Sequence, residues 1–204
     1  QFARFGLHPN LVAKYSLPFR PSIAMSTIAS FYDKFNLPGD VRNTTWLEGK
    51  QFNSDGSPIL ISTTNKGLDN NYSGPEPEKK IDWQLTFSKE LKLRVDSSMD
   101  LGNDELAKAA GVRSIKYYPD KNTDPSERNS NNDVPVLRLA DVLLMKAEAI
   151  LRGAAATSVK GELQTPDVLV NKIRTRAKAP QVSGITLDGL LEERARELAW
   201  EAWR

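Results

Sequence analysis

Cysteine is absent from the 204 residues, so the chain has no disulfide framework and no thiolate metal site. This leaves the compartment open, because exported bacterial proteins often lack cysteine too. Histidine is nearly absent. The single His8 precedes Pro9 and reads as a loop residue, and with one imidazole both a His-rich zinc site and a Ser-His-Asp triad lose their main component. No stretch approaches the roughly 18 consecutive apolar residues of a membrane helix. The opening Gln1-Phe2-Ala3-Arg4 is not a basic start followed by an apolar run, so no signal peptide is visible. The chain is therefore expected to be either cytoplasmic or a piece of a longer exported protein. An excess of one charge is also missing. There are 28 basic and 26 acidic residues, interspersed, with a net charge of +2, which removes the electrostatic footprint of a nucleic-acid binder.

The composition, 39% hydrophobic and 26% charged, is that of a folded domain. Pro9, Pro18 and Pro21 make the first 21 residues irregular. Ile23, Ile28, Phe31, Tyr32 and Phe35 are spaced for an amphipathic helix over Ser22–Phe35, which Pro38-Gly39 ends. Residues 43–133 are loop-rich. Ile59 to Thr63 suits a short strand, Trp83 to Val95 alternates as one or two half-buried strands, and Gly111 to Tyr118 looks extended. From Pro135 the pattern becomes helical. Val136, Ala140, Leu143, Leu144, Ala147 and Leu151 form one stripe, and Gly153 suits the C′ position. Thr165-Pro166-Asp167 opens a second helix with Leu169, Ile173 and Ala177 on its apolar side. Thr186 caps a third, with Leu187, Leu190, Leu191, Ala195, Leu198 and Ala202 on one face. No stop signal follows Trp200, so the natural chain is expected to continue.

Three segments carry a resemblance. They are Arg113-Ser114-Ile115-Lys116-Tyr117, the run from Asn131-Asn132-Asp133-Val134-Pro135 through Arg138-Leu139-Ala140-Asp141 to Glu148-Ala149, and the pair Val170–Ala177 with Glu193–Glu201. In this order and spacing they resemble the SusD/RagB family of outer-membrane nutrient-binding lipoproteins. Phe31 to Phe35 with Asp40-Val41-Arg42 is similar to that family's mid-chain acidic-arginine element. The resemblance implies a mainly α fold, with helical hairpins packed in a tetratricopeptide-like manner and a loop-rich middle containing short β-strands. It implies that residues 1–204 are the C-terminal portion of one such domain. Within it, 22–42 is the helix and acidic-arginine element, 43–133 the loop-rich insertion and 134–204 the helical part. It further implies a Bacteroidota cell-surface lipoprotein anchored by a lipid outside this chain. Such a protein holds oligosaccharide or another nutrient without cleaving it and partners a SusC-like TonB-dependent transporter, with no cofactor and no metal.

The residues are consistent with a binding role. The Asn131–Pro135 turn reads as a device for starting a helix, and a calcium site there lacks a spaced set of closing acids. Glu192, Glu193, Glu197 and Glu201 could be imagined as a glycosidase pair, which needs carboxyls roughly 5–9.5 Å apart across one bond. Their interleaving with Arg194 and Arg196 favours a structural network instead, including an i,i+4 pair of Glu192 with Arg196. Arg138, Asp141 and Glu148 are read in the same way. Trp46, Phe52, Tyr72 and Trp83 lie in or beside the polar middle, where an aromatic face can stack on a sugar ring. Asn43, Asn53, Asp55, Asn70 and Asn71 could add hydrogen bonds. Covering about 80 Å² of such a face is worth roughly 2 kcal/mol at ~25 cal/mol/Å², so several contacts are needed once association costs are charged. The alternative is that the aromatics plug the loops onto the core. That alternative is favoured for Trp83, and for Trp46 and Tyr72 both readings stand. A helical scaffold that grips a protein partner without binding glycan is the rival function.

Overall fold

The computed structural model describes residues 7–21, 26–69, 72, 74, 77–91, 104–124, 132, 133 and 135–201. The architecture is mixed but helix-rich, with short sheets. No helix among the described residues is long and apolar enough to cross a membrane. The chain divides into two compact units, one of residues 1–32 and 46–132, the other of residues 33–45 and 133–204.

The first unit starts with a 3-10 turn, Pro9–Leu11, running into α1 (Val12–Tyr15), which Ser16 ends in the left-handed region. α2 (Ala29–Tyr32) is the only part of the expected Ser22–Phe35 helix found among the described residues; residues 22–25 lie outside them. The reason is tertiary. Thr27 donates its N–H to the carbonyl of Val112 at 3.0 Å in a β-bridge, an extended pairing in place of a helical one. β1 (Trp46–Leu47) and β2 (Gly49–Lys50) follow, then β3 (Leu60–Thr64), α3 (Asn65–Leu68), β4 (Lys80–Gln84), β5 (Thr86–Phe87), α4 (Glu105–Ala109) and β6 (Arg113–Ser114). All pairings are antiparallel: β1 with β6, β2 with β5, and β3 with β4, the last in the register Leu60–Gln84, Ser62–Asp82, Thr64–Lys80.

Three of these segments meet in a closed ring of backbone hydrogen bonds. Gln51 donates to Leu85 at 2.8 Å, Leu85 to Ile59 at 2.9 Å, and Ile59 to Gln51 at 3.1 Å. All three residues are buried, so each amide has to be satisfied by the protein, and the ring does so where two-stranded sheets run out. Leu85 and Phe87, placed inward by the expected alternation, join Leu7, Leu11, Tyr15, Ile59 and Ile61 in the core. Arg113 is buried as well. Its guanidinium donates to the carbonyls of Lys108, Ala110 and Gly111 at the end of α4 and lies 5.4 Å from the Phe87 ring. Burial lowers its pKa to about 10. Gly111, at φ +81°, is required here: a Cβ would collide with Ser26 and Leu91.

The second unit contains a 3-10 turn at Val41–Thr45 and the helices α5 (Leu139–Leu151), α6 (Pro166–Ala177) and α7 (Leu187–Leu198). α5 packs against both α6 and α7. Thr165 accepts from the Val168 N–H and Thr186 from the Gly189 N–H, the two N-caps expected from the sequence. Gly153 has φ +106° after α5. Leu144, Ala147, Leu169, Val170, Ile173 and Leu190 form the core. The sequence reading missed a hairpin between α5 and α6, β7 (Ser158–Val159) with β8 (Glu162–Leu163), turned by Lys160 and Gly161, both at positive φ.

Three expectations need correction. α5 begins at Leu139, so Val136 precedes it and is exposed; of the expected Asn131–Pro135 entry turn, Asn131 and Val134 lie outside the described residues. The N-cap position is Arg138, an extended residue whose guanidinium is drawn to carboxylates of α7 and the turn after it. α7 stops at Leu198 instead of running on, because Trp200 adopts φ 62° and Glu201 donates back to the Leu198 carbonyl. Ala202 and Trp203 lie outside the described residues. His8 is not a loose loop residue: it is buried, and its Nδ1 accepts from the Asn10 N–H at the start of the first 3-10 turn.

The burial of His8 makes stability depend on pH. Burial pushes the His8 pKa down to about 4, helped by the cations Arg113, Lys108 and Arg20; Glu105, 3.6 Å away, does not offset them. Between its ordinary 6.5 and that value the unfolded chain binds a proton that the folded chain refuses. Stability is therefore complete above pH 6.5 and falls as the pH drops, by about 3 kcal/mol in all. His8→Asn keeps a cap acceptor and removes the titration, so the drop in urea midpoint between pH 7 and pH 4.5 should be markedly smaller in this variant. Equal drops would refute the assignment.

Candidate functional site

The residues singled out for ligand contact divide between buried and exposed positions. Trp46 is 8% exposed, with the rings of Phe31 and Tyr32 edge-on to it at 6.3 and 6.1 Å. This is the plug geometry, one of the two readings left open for Trp46. Trp83 is half-buried and packs on the core of the first unit. Phe52, 43% exposed, and Tyr72, 36% exposed, present ring surface to solvent. Gly74 lets the Tyr72 ring lie close to the backbone, since a Cβ there would collide with it. Asn53 and Asp55 build the turn after Phe52. Asp55 Oδ1 accepts from the Ser57 N–H at 2.9 Å and the Ser57 hydroxyl at 2.6 Å, and Asn53 Nδ2 donates to Ser57 Oγ at 3.1 Å. These bonds hold the Asp55 carboxyl below its ordinary pKa. Asn43 belongs to the second unit, where it donates to the Leu37 carbonyl at 2.8 Å. Asn70 and Asn71 lie outside the described residues.

The first unit also has a concavity that the sequence did not announce. A cavity of about 460 Å³ lies on the β3–β4 ribbon, lined by Ser62, Thr63, Thr64, Lys80, Ile81 and Asp82. Antiparallel pairing sets Ser62 opposite Asp82 and Thr64 opposite Lys80, which puts these polar side chains on one face. Ser62 Oγ donates to Asp82 Oδ1 at 2.5 Å, and Thr64 Oγ1 donates to Glu78 Oε1 at 2.7 Å. Strand alternation was the only available signal. It could not give the register, because the chain between β3 and β4 is long.

In the second unit the charged residues form a buried network. Asp40 accepts from the Arg42 N–H, Nε and Nη2 at 2.9, 3.0 and 2.7 Å. Arg42 Nη1 lies 2.8 Å from Glu193 and 3.2 Å from Glu197. Glu193 also meets Arg174 at 2.9 Å and Arg196 at 3.1 Å. Glu197 is held by Arg138 and by Arg176, and Arg138 reaches Glu201 at 3.2 Å. Burial alone would raise the Asp40 and Glu193 pKa values, but the arginines outweigh it, and both carboxyls stay below the ordinary range. The expected Glu192–Arg196 pair is not formed. Glu192 instead pairs with Lys34 at 2.5 Å, while Arg196 turns inward to Glu193. Asp141 pairs with Arg194 at 2.7 Å and Glu148 with Arg152 at 2.9 Å. Asp40, Glu193 and Glu197 are each engaged by guanidinium groups, the arrangement of a structural network.

A helix-rich module with short accessory sheets and polar surface loops is a scaffold suited to holding a small ligand. The chain belongs to the SusD family, whose sequence profile matches residues 41–204. Members of this family are nutrient- and glycan-binding proteins of the cell surface and act without catalysis. No curated protein and no solved structure matches the chain.

Removing one partner of a buried ion network leaves charge uncompensated and costs about 3–5 kcal/mol, whereas exposed pairs are worth about 1 kcal/mol or less. Glu193→Gln should therefore lower the unfolding free energy by about 3 kcal/mol or more, and Lys34→Ala by about 1 kcal/mol or less. Because the Asp40 and Glu193 pKa values are lowered, their contribution is complete above the ordinary carboxyl range and disappears as the pH falls through the folded values. Denaturant titrations of both variants at pH 7 and pH 3.5 check this; a Glu193→Gln variant as stable as wild type at pH 7 would contradict it.

Proposed function

We propose that the chain is the C-terminal portion of a single SusD-like domain in a Bacteroidota outer-membrane lipoprotein. That protein holds an oligosaccharide or another nutrient and delivers it, uncleaved, to a SusC-like TonB-dependent transporter. Its lipid anchor lies outside this sequence. The observation that carries the reading is the family match over residues 41–204. The arrangement of α5 against α6 and α7 supports tetratricopeptide-like packing as the platform. Phe52 and Tyr72 are the proposed stacking faces, because their rings reach solvent. Asn53, Asp55, Asn70 and Asn71 are the proposed polar contacts around them. Trp46 and Trp83, packed below the surface, steady these loops and do not touch the ligand.

One observation favours a second reading. α5 is apolar on both sides: Leu144 and Ala147 are buried, yet Val142 and Met145 are 50% and 48% exposed and Leu139 lies bare beside them. A helix of this kind is normally covered on every face. A protein-interaction scaffold explains that face, and it is compatible with glycan binding.

The test is a glycan-array screen of the full-length protein, followed by calorimetry and a reducing-end assay on each hit. Saturable micromolar-to-millimolar binding without product is expected, with Phe52→Ala and Tyr72→Ala each weakening it roughly tenfold. Release of new reducing ends would refute the non-catalytic reading. Transporter capture with no glycan bound would favour the scaffold.

A further inference from the structure

We propose that the concave polar face of the β3–β4 ribbon is a subsite for an uncharged sugar ring, in which the Asp82 carboxylate accepts from adjacent ring hydroxyls and the Lys80 ammonium donates to a third oxygen. This rests on the reading of the protein as a glycan binder and adds where, and to what class of sugar, it binds.

The volume of about 460 Å³ is within the range of small-ligand sites, about 300–1,000 Å³. Its chemistry is that of a polyol site. Asp82 Oδ1 is committed to Ser62, while Oδ2 has no partner among the described residues, so the carboxylate is oriented yet retains acceptor capacity. The Lys80 ammonium likewise has no carboxylate partner among the described residues. Residues two apart on a strand lie about 6.6 Å apart on the same face, a separation comparable to the span of a pyranose.

Charge selects within the sugars. Glu78 is held at the margin by Thr64, so carboxylates flank Lys80 along the strand at Glu78 and Asp82. A uronate would meet two like charges for one opposite charge. A neutral ring meets only hydrogen-bonding groups. The ribbon register places both charged residues on one face, and the Ser62 hydroxyl orients the Asp82 carboxylate.

The experiment uses the full-length protein titrated with neutral gluco-, manno-, galacto- and xylo-configured hexasaccharides and with a hexauronate. Asp82→Asn keeps an acceptor for Ser62, and Lys80→Met keeps the aliphatic stem, so both variants should melt as wild type does. Each should lose about tenfold or more in affinity for the bound neutral sugar. In the wild type, saturating sugar should shield Lys80, but not Lys66 or Lys79, from acetylation read by mass spectrometry. If a neutral sugar binds, both variants keep its affinity within about twofold, and Lys80 is not shielded, the subsite is overturned while the glycan-binding reading stands. Preference for the hexauronate overturns the choice of a neutral ring. If the wild type binds none of these sugars, the glycan reading and the subsite fall together.

Discussion

The second unit depends on the burial of carboxylates on α7. Glu193 is fully buried and Glu197 nearly so, and a bare carboxylate in such a place is not tolerable. Each must therefore be matched by guanidinium groups brought from several places in the chain: Arg42 from the segment after α2, Arg138 from the start of α5, Arg174 and Arg176 from α6, and Arg196 from α7 itself. Arg42 is in turn oriented by four hydrogen bonds to Asp40. Apolar contacts between α5, α6 and α7 provide the non-directional part of the stability. The network adds direction, because a planar guanidinium satisfies two acids only in a narrow set of poses. An arrangement of this kind costs desolvation energy and returns it only when complete, so its benefit is a defined geometry more than added stability.

The first unit solves a different problem. Its strands are too short to satisfy one another in a continuous sheet, and its core is served by pieces from distant parts of the sequence. The ring of hydrogen bonds through Gln51, Ile59 and Leu85 closes the gaps between those pieces with buried amides and carbonyls. From that junction the β3–β4 ribbon and the loop after Phe52 project, carrying hydroxyls, amides and carboxylates that the core does not consume. A rigid junction below polar, side-chain-rich extensions suits recognition of a hydroxylated ligand, because the binding groups are held in place before the ligand arrives.

Much of this was legible from local rules. The caps at Thr165 and Thr186, the glycine after α5, the strand at Ile59 to Thr63 and the inward positions of Leu85 and Phe87 all follow from short-range patterns, and they appear as expected. The family resemblance carried by Arg113–Tyr117, the α5 segment and the Glu/Arg run of α7 was legible as well, because those residues are spaced along contiguous chain. The misreadings share one cause. A helix over Ser22–Phe35 satisfies periodicity, but Thr27 bonds to Val112, far away in sequence, and the described part shrinks to one turn. Glu192 and Arg196 have the right spacing for a pair, but Arg196 does better against buried Glu193. For Trp46 local pattern left stacking and plugging open, because the Phe31 and Tyr32 rings that meet it come from another part of the chain.

The sequence by itself determined the helix-rich character, the family and the positions where α6 and α7 begin, since each rests on groups within a few residues of one another. Only the tertiary structure decided which aromatics face solvent, which acids share which arginines, and which hydroxyls meet Lys80 and Asp82 on one face. Those outcomes depend on strand register and on competition among long-range partners. Both are settled by the burial of many groups at once and leave no trace in local spacing.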